Sequence, residues 1–243
     1  MKVLAIDTSN RPLSVAVLDD DNLLVTKTTN VSYNHSVTLM PIVAELLKES
    51  NLTPAQIDRF VVAQGPGSYT GLRIGVTAAK TLASTLNKEL VGVSSLKLVA
   101  ANIYPRKKVL IVPYFDARNG NVFAGGYVWD NGTLVNRIED QHISFEELVD
   151  NLVSENKPVI FVGIRKAEFE QSAQAKLDSQ FEFADLNYQM PQAVILGRLG
   201  QKEEPSDADA FVPQYRRLTQ AELQWMEKHP EEKNHHGNYV EKV

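Results

Sequence analysis

The sequence predicts an α/β fold of two similar halves, each with the order strand, strand, strand, helix, strand, helix. Short apolar runs between turns rich in Asp, Asn and Gly alternate with longer segments of helical periodicity, as expected for strands and helices. The turn after the first strand, Asp-Thr-Ser-Asn at residues 7–10, is echoed by Asp-Ala-Arg-Asn at residues 116–119. We therefore expect one half at residues 1–105, a smaller half at residues 106–228 and a flexible tail at residues 229–243.

In the first half, three strands precede the first helix, because runs rich in Val, Leu and Thr are separated by turns rich in Asp and Asn. Pro41 should kink that helix or mark where its regular part begins. Its apolar stripe is expected to consist of Val37, Met40, Val43, Ala44 and Leu47. The predicted bounds are 3–6, 13–18 and 23–29 for the strands, 34–50 for the helix, 60–86 for a strand, turn and long helix, 90–93 for a strand and 94–103 for a helix.

The second half repeats this order from residue 109. Ser144 is expected to cap its first helix, since Glu146 and Glu147 then lie near the positive end of the helix dipole. The predicted bounds are 109–115, 121–129, 133–138 and 158–162 for strands, 144–154, 165–177, 191–200 and 220–228 for helices, and 206–215 for a loop or short strand. Internal duplication of this order resembles the plan of the actin-like ATPase and sugar-kinase folds.

The segment at residues 60–86 organises the first half. A Gly- and Pro-rich turn at residues 65–71 separates the strand from the helix, which Ser68 or Thr70 can cap at its start and Asn87 at its end. Two helical glycines cost about 2 kcal/mol relative to alanine, so their lack of a side chain must serve a close approach. The residues that share one helix face are Gly71, Gly75, Ala78, Ala79 and Leu82, of which all but Leu82 are Gly or Ala.

Three interpretations of this turn and helix remain open at this stage. The turn could bind phosphate at the helix N-terminus, although a P-loop requires Gly-Lys-Ser/Thr where Gly71-Leu72-Arg73 stands. The helix could pack tightly on its own sheet. Alternatively, its small-residue face could contact another chain.

Composition restricts the classes of function. With a net charge of -5 and a pI of about 5.6, the chain is a poor candidate for the main nucleic-acid-binding surface of a complex. The absence of Cys excludes disulfides, thiolate metal sites and a cysteine nucleophile. No apolar run approaches the roughly 20 residues of a membrane span, and a strand-like segment begins directly after Met1 and Lys2. The sequence therefore predicts a cytoplasmic protein without membrane association.

Several motifs together resemble those of the TsaB (YeaZ) family, over residues 1 to about 225. These motifs are Ile6-Asp7-Thr8-Ser9, Asn34-His35-Ser36 with Met40-Pro41, the run from Gly65-Pro66-Gly67 to Gly75, Asp116-Ala117-Arg118, and Pro213-Gln214-Tyr215-Arg216-Arg217 with Ala221-Glu222. The Gly-Pro-Gly motif with its helix is the specific part. Asn121 and Arg216 depart from the family pattern, which usually has Glu and Leu at these positions.

The resemblance implies an actin-like accessory subunit in the synthesis of threonylcarbamoyladenosine in tRNA. Its catalytic relative, TsaD, carries a His-x-x-x-His pair that holds a metal, and Ser95 and Val99 occupy the corresponding positions here. A hydroxyl and an isopropyl group cannot chelate a divalent ion as two imidazoles do. His35, His142 and His229 have no ligand spacing. We therefore expect no catalytic residue, no metal site and no cofactor in this chain.

The resemblance also implies the partners. This subunit would bind TsaD through its first two long helices and hold it in a competent state, and the ATPase TsaE would join the larger assembly. A homodimer could use the same surface, and the tRNA would be contacted only indirectly. The expected partner-binding residues are Leu39, Val43, Gly71, Gly75, Ala78, Ala79 and Leu82.

The alternative from another class is a small-molecule kinase or ATPase of the actin-like fold. Asp7 ends the first strand, where such enzymes place an acidic residue near magnesium. The second half, however, lacks an Asp-Gly-Gly phosphate turn and a Gly-rich adenosine motif, and Gly125-Gly126 falls inside a predicted strand. A metalloprotease is disfavoured because the sequence contains no His-Glu-x-x-His motif.

Overall fold

The computed structural model describes residues 1–30 and 34–216, in which ten strands form two five-stranded sheets. The strands of the first sheet are β1 (Lys2–Asp7), β2 (Leu13–Asp19), β3 (Asn22–Thr29), β4 (Arg59–Gly65) and β5 (Glu89–Ser94). The strands of the second sheet are β6 (Leu110–Arg118), β7 (Asn121–Asp130), β8 (Thr133–Ser144), β9 (Val159–Val162) and β10 (Phe181–Phe183).

Six α-helices lie in the described part of the chain. They are α1 (His35–Glu49), α2 (Tyr69–Leu86), α3 (Ser95–Ala100), α4 (Phe145–Glu155), α5 (Ala167–Leu177) and α6 (Ala193–Gly200). The predicted caps are observed at three helix ends: Ser68 and Ser144 accept N–H bonds at the starts of α2 and α4, and Asn87 adopts the left-handed conformation after α2.

The two sheets have one topology. The order is β3-β2-β1-β4-β5 in the first sheet and β8-β7-β6-β9-β10 in the second, so every strand has a counterpart in the other half. In each sheet the first three strands form antiparallel pairs and the last two add in parallel. This repeat confirms the duplicated α/β fold predicted from the sequence.

Helices cover both faces of the first sheet. Because side chains alternate along a strand, Leu4 and Ile6 of β1 pack with α1 and α2, whereas Val3 and Ala5 pack with α6. The start of α6 is fixed by the Ala193 N–H, which donates to the Ser14 hydroxyl at 3.0 Å. The chain thus returns from the second sheet to complete the first one.

The second sheet has its own core. Helices α4 and α5 pack on one of its faces, where the rings of Phe145 and Phe169 stack with centroids 4.1 Å apart. The opposite face contacts α3, and Leu96, Ile111 and Tyr127 are buried there between the two halves. The junction between the halves is therefore apolar apart from a few specific polar groups.

Four details differ from the prediction. Strand β8 extends to Ser144 because residues 141 to 144 still pair with β7, and α3 ends at Ala100. Helix α1 continues through Pro41, so Pro41 does not mark the start of its regular part, whereas the expected kink remains a prediction. Pro41 is exposed, so water can solvate the carbonyl left without a donor. Pro191 precedes α6 rather than starting it.

The proposed halves at residues 1–105 and 106–228 remain a prediction, and α6 packs on the first sheet. Apart from one bridge between Ser206 and Leu90, the segment 206–216 has no strand or helix. The helix expected at 220–228 and the tail at 229–243 lie outside the described residues. Among the helices of the described part, none is long and apolar enough to cross a membrane.

Candidate protein-interaction site

The Gly-Pro-Gly turn packs on the turn that follows β1. The Ser68 N–H donates to the Ser9 carbonyl at 2.7 Å, and a side chain at Gly67 would overlap the same carbonyl. The Ser68 hydroxyl then accepts the Gly71 N–H and starts α2. The turn is therefore held by the chain itself, close to the ends of β1 and β4.

The helical glycines are explained by packing within the chain. A methyl group at Gly71 would overlap the Thr8 carbonyl, and one at Gly75 would overlap the Thr8 hydroxyl. That hydroxyl donates a buried hydrogen bond to the Gly71 carbonyl at 2.7 Å. Ala79 is fully buried on the same side of the helix. Of the alternatives left open by the sequence, the structure therefore supports close packing of α2 on its own sheet.

The other side of α2 forms a groove with α1. Ala78 and Leu82 are half-buried in this groove, and Leu39 of α1 lies at its base. Its volume is about 540 Å³, and the complete lining consists of Ser36, Leu39, Met40, Arg73, Ile74, Thr77, Ala78, Thr81 and Leu82. We call this surface the α1/α2 groove. It contains a single charged side chain, Arg73.

The apolar stripe predicted for α1 is partly wrong. Val43 and Leu47 belong to the core, but Val37 is 64% exposed, Met40 is 44% exposed and Ala44 is also exposed. The core side of α1 is instead formed by Leu39, Ile42, Val43, Leu46 and Leu47. Met40 lines the α1/α2 groove, and Val37 lies three residues before it on α1, so both add exposed apolar surface to this helix. A contiguous exposed apolar patch of this kind is typical of an interaction site.

An aromatic cluster that the sequence analysis missed lies at the N-terminal end of α2. The Arg73 guanidinium donates to the Tyr69 hydroxyl at 2.9 Å and lies 5.5 Å from the centroid of its ring. Tyr215 packs on Tyr69 with ring centroids 4.8 Å apart. The spacing of Tyr69 and Arg73, four residues apart on a helix, is a signal that could have indicated this pair. Tyr and Arg are enriched in the energetically important centres of protein interfaces.

The seven residues expected to bind a partner fall into two groups. Leu39, Val43, Gly71, Gly75 and Ala79 are buried within the chain, whereas Ala78 and Leu82 are partly accessible from the α1/α2 groove. The five buried residues determine the shape of the α1/α2 groove, and the two accessible residues are available for contact with a partner. The partner-binding role of these residues remains a prediction.

The positions that correspond to a metal pair lie in the junction between the halves. Ser95 and Val99 are buried on α3, and the Ser95 hydroxyl has no hydrogen-bond partner in residues 1–30 and 34–216. In the same residues, no group of three or more His, Cys, Asp or Glu side chains could hold a metal ion. The absence of a metal in the working protein nevertheless remains a prediction.

A buried carboxylate links the two halves beside α3. Asp140 accepts a hydrogen bond from the Tyr127 hydroxyl at 2.6 Å and one from the Ser94 hydroxyl at 2.5 Å. Burial raises the pKa of Asp140, although both hydrogen bonds oppose this rise. A side chain at Gly125 would overlap the Asp140 carboxylate. The Gly-Gly pair in a predicted strand was the sequence signal for this close approach.

Asp7, the acidic residue that ends β1, is buried. Its side chain is 1% exposed, and one carboxylate oxygen accepts the Ser9 N–H at 2.7 Å. The other oxygen has no hydrogen-bond partner within the described ranges, and burial raises the pKa of this carboxyl group. The corresponding residue of the second half, Asp116, forms an ion pair with Lys166 at 3.0 Å.

Comparisons with known proteins agree on one group of relatives. Residues 28–225 match the family model TsaD, tRNA N6-adenosine threonylcarbamoyltransferase. The tRNA threonylcarbamoyladenosine biosynthesis protein TsaB of Bacillus subtilis (strain 168) is 39% identical over 227 residues, which cover 93% of this chain and 99% of that protein.

Two solved structures share the fold. YeaZ from Pseudomonas aeruginosa has a TM-score of 0.67 at 21% identity, over 88% of this chain and 99% of that one. A ROK hexokinase from Thermus thermophilus has a TM-score of 0.51 at 8% identity, over 83% of this chain and 99% of that one. The fold is therefore the duplicated actin-like one, in agreement with the sequence analysis.

Proposed function

Because the chain belongs to the TsaB (YeaZ) family of tRNA threonylcarbamoyladenosine biosynthesis proteins, we propose that it is a non-catalytic subunit that binds TsaD and holds it in a competent state. TsaD would transfer the threonylcarbamoyl group to adenosine of tRNA. The main observation that supports this proposal is the exposed apolar surface of the α1/α2 groove on an otherwise well-packed fold. The setting of this reaction would be the cytoplasm.

The chemistry of the groove suits a helical partner. It is long enough to involve both helices, and its lining is apolar except for Arg73 and a few hydroxyl groups. Burying the exposed side chains of Val37 and Met40 against another chain would remove their apolar area from water, which favours association. A second copy of this chain could use the same surface when TsaD is absent, and TsaE would join the TsaD-bound form.

The non-catalytic role is supported by the residues of α3. The TsaD histidines correspond to Ser95 and Val99, which cannot ligate a metal as an imidazole pair does. The neighbouring carboxylate, Asp140, is already bonded to Tyr127 and Ser94. Threonylcarbamoyl transfer would therefore take place on TsaD alone.

The test is a titration of TsaD from the same organism with the wild-type chain and with Ala78→Arg. An unpaired Arg buried in an apolar interface costs about 3–5 kcal/mol, so the dissociation constant should rise by at least about a hundredfold. Because Ala78 is partly exposed in the free chain, thermal unfolding should change little.

The matched control is Asn151→Arg, at an exposed position of α4 that is distant from the groove. It should bind TsaD as the wild type does. If Ala78→Arg remained folded and bound TsaD with unchanged affinity, the α1/α2 groove would not be the interface. If the wild-type chain failed to bind TsaD at all, the proposed function itself would be wrong.

A further inference from the structure

A second pocket lies at the junction of the two halves, on the side of the first sheet that α6 covers. Its volume is about 650 Å³, within the range of small-molecule sites. Apolar and aromatic side chains predominate in its lining, with a few polar groups among them. The residues most relevant to binding are Tyr104, Trp129, Asn187, Tyr188, Gln192 and Arg198. We call it the junction pocket.

Two aromatic rings of the junction pocket are exposed, and the third, that of Trp129, is partly buried. Tyr104 is 80% exposed and Tyr188 is 37% exposed. The ring of Trp129 is held in place because its Nε1–H donates to the Ile103 carbonyl at 2.9 Å. Within the described ranges, none of these three rings packs against another aromatic ring. Such surfaces are available for stacking with a planar ligand.

The polar groups of the pocket can recognise the edge of a planar ligand. The side-chain amides of Asn187 and Gln192 are exposed and make no hydrogen bond to any described residue. The wall behind them is fixed by Asn102, whose amide nitrogen donates to the carbonyls of Tyr188 and Met190 at 2.7 and 3.0 Å. Primary amides both donate and accept, as the edges of nucleobases do.

One cation, Arg198, lines the same pocket, and two lysines lie shortly after its lining residue Pro105 in the chain. Lys107 and Lys108 follow Tyr104 and Pro105 in the chain, and neither forms an ion pair with a described residue. The Arg198 guanidinium donates to the Asp21 carbonyl at 3.0 Å, which leaves other N–H groups available. Asp185 also lines the pocket and would repel an anionic group, so we expect such a group to bind beside Arg198 or the two lysines.

We propose that the junction pocket binds a nucleotide, with the base stacked on Tyr104 and the phosphate near Lys107, Lys108 or Arg198. Stacking surfaces, unpaired amides and unpaired cations together match the base and phosphate of an unpaired nucleotide. The source is either a free nucleotide or a single-stranded segment of RNA. This inference goes beyond the proposed function, and it differs from the expectation from the sequence that tRNA is contacted only indirectly.

The location is compatible with the α1/α2 groove. Gln192, which directly precedes α6, and Arg198 of α6 line the junction pocket. Helix α6 packs on the face of the first sheet opposite to α1 and α2. A ligand in the junction pocket and a protein in the groove would therefore not compete for the same surface.

The experiment uses the full chain with Trp225→Phe, so that Trp129 is the one remaining tryptophan of the two in the sequence. Its fluorescence is followed while AMP, a short single-stranded oligoribonucleotide or the corresponding duplex RNA is added. We expect saturable quenching by AMP, by the single strand or by both, and a weaker effect of the duplex. Quenching by AMP would show that a free nucleotide is sufficient for binding. Quenching by the single strand alone would show that the ligand is single-stranded RNA.

Two sets of variants test the assignment of the residues. Tyr104→Ala should weaken binding about 5- to 100-fold, while Tyr104→Phe, which keeps the ring, should bind as the wild type does. The double change Lys107→Gln and Lys108→Gln should weaken binding and flatten its dependence on salt. Arg137→Gln, a change at an exposed cation elsewhere, is the control.

The proposal is overturned if neither AMP nor the single strand quenches Trp129 saturably, or if Tyr104→Ala binds as tightly as Tyr104→Phe. Since TsaD is absent from this experiment, neither result would affect the proposal for the α1/α2 groove.

Discussion

A methyl group at Gly75 has no room, because the Thr8 hydroxyl lies where its Cβ would be. That hydroxyl cannot rotate away without losing its buried hydrogen bond to the Gly71 carbonyl. An alanine in place of a helical glycine ordinarily stabilises a helix by about 1 kcal/mol. At this position the contact with Thr8 should reverse the sign.

We expect Gly75→Ala to lower the free energy of unfolding by about 1–3 kcal/mol, the usual range for overpacking. Urea unfolding of the purified chain measures this change. Thr77→Ala, on the exposed side of the same helix, should stay within about 0.5 kcal/mol of the wild type. A Gly75→Ala variant more stable than the wild type would show that Thr8 yields without loss.

Asp7 gives the protein a pH dependence of predictable sign. Burial raises the pKa of its carboxyl group above the usual 3.8 in the folded chain. As pH rises, the unfolded chain therefore loses this proton first. Ionisation of Asp7 favours unfolding increasingly between the unfolded-state and folded-state pKa values, and to its full extent above the folded-state pKa. The contribution disappears below the unfolded value, where both states are protonated.

Asp7→Asn should consequently be more stable than the wild type near pH 7, and the difference should shrink as the pH falls towards 3.8. An Asn oxygen can still accept the Ser9 N–H that Asp7 binds. Urea midpoints measured across this pH range provide the test. A variant that is less stable than the wild type at neutral pH would indicate a cation or metal near Asp7 in the folded protein.

At the scale of elements, the sequence predicted most strands and helices of the described residues. Local signals decide those elements: the caps Ser68, Asn87 and Ser144 are short-range features that periodicity and turn chemistry reveal. The docking of α6 is not local, because its partners in β1 and β2 lie about 180 residues away in the chain. The exposed side of α1 was misjudged since Val37 and Met40 have the same periodicity as core residues.

Helix α6 depends on one buried arginine. The Arg59 side chain of β4 is 9% exposed, and its Nη1 donates to the carbonyls of Gly200, Gln201 and Glu203 at 2.8, 3.2 and 3.0 Å. These carbonyls lie at or after the C-terminal end of α6, where a cation is favoured by the helix dipole.

Arg59→Met should lower the free energy of unfolding by about 1.5–3 kcal/mol, the value of hydrogen bonds from a charged donor. The control is Glu89→Gln, which removes the charge of the half-exposed ion-pair partner of Arg59 and should cost less than about 1 kcal/mol. Urea unfolding distinguishes the two. Equal losses would mean that the ion pair, not the carbonyl contacts, accounts for the stabilisation.

For the whole molecule, the polar contacts between Asp140, Tyr127 and Ser94 connect the two halves. The sequence did not predict them, because Ser94 lies 33 residues from Tyr127 and 46 from Asp140. The same limit applies to the α1/α2 groove: the sequence indicated which helices form it, but not which side chains reach solvent.

Tyr127→Phe should lower the free energy of unfolding by about 1–3 kcal/mol, because Asp140 would lose one of its two donors while it remains buried. Tyr114→Phe is the matched control, since that hydroxyl donates to the neutral Ile164 carbonyl within the second half. The control should cost less. If both variants were equally stable, the Tyr127 bond would contribute nothing specific to the junction.

The return of α6 to the first sheet has a consequence for synthesis on the ribosome. Roughly 100 residues separate the end of β5 from the start of α6, and at about 5–20 residues per second their translation takes about 5–20 s. During that interval the sheet face formed by Val3, Ala5 and Leu18 lacks α6, which covers it together with Leu98 of α3 in the folded chain. The nascent chain therefore leaves part of an apolar sheet face uncovered until the residues of α6 have been synthesised.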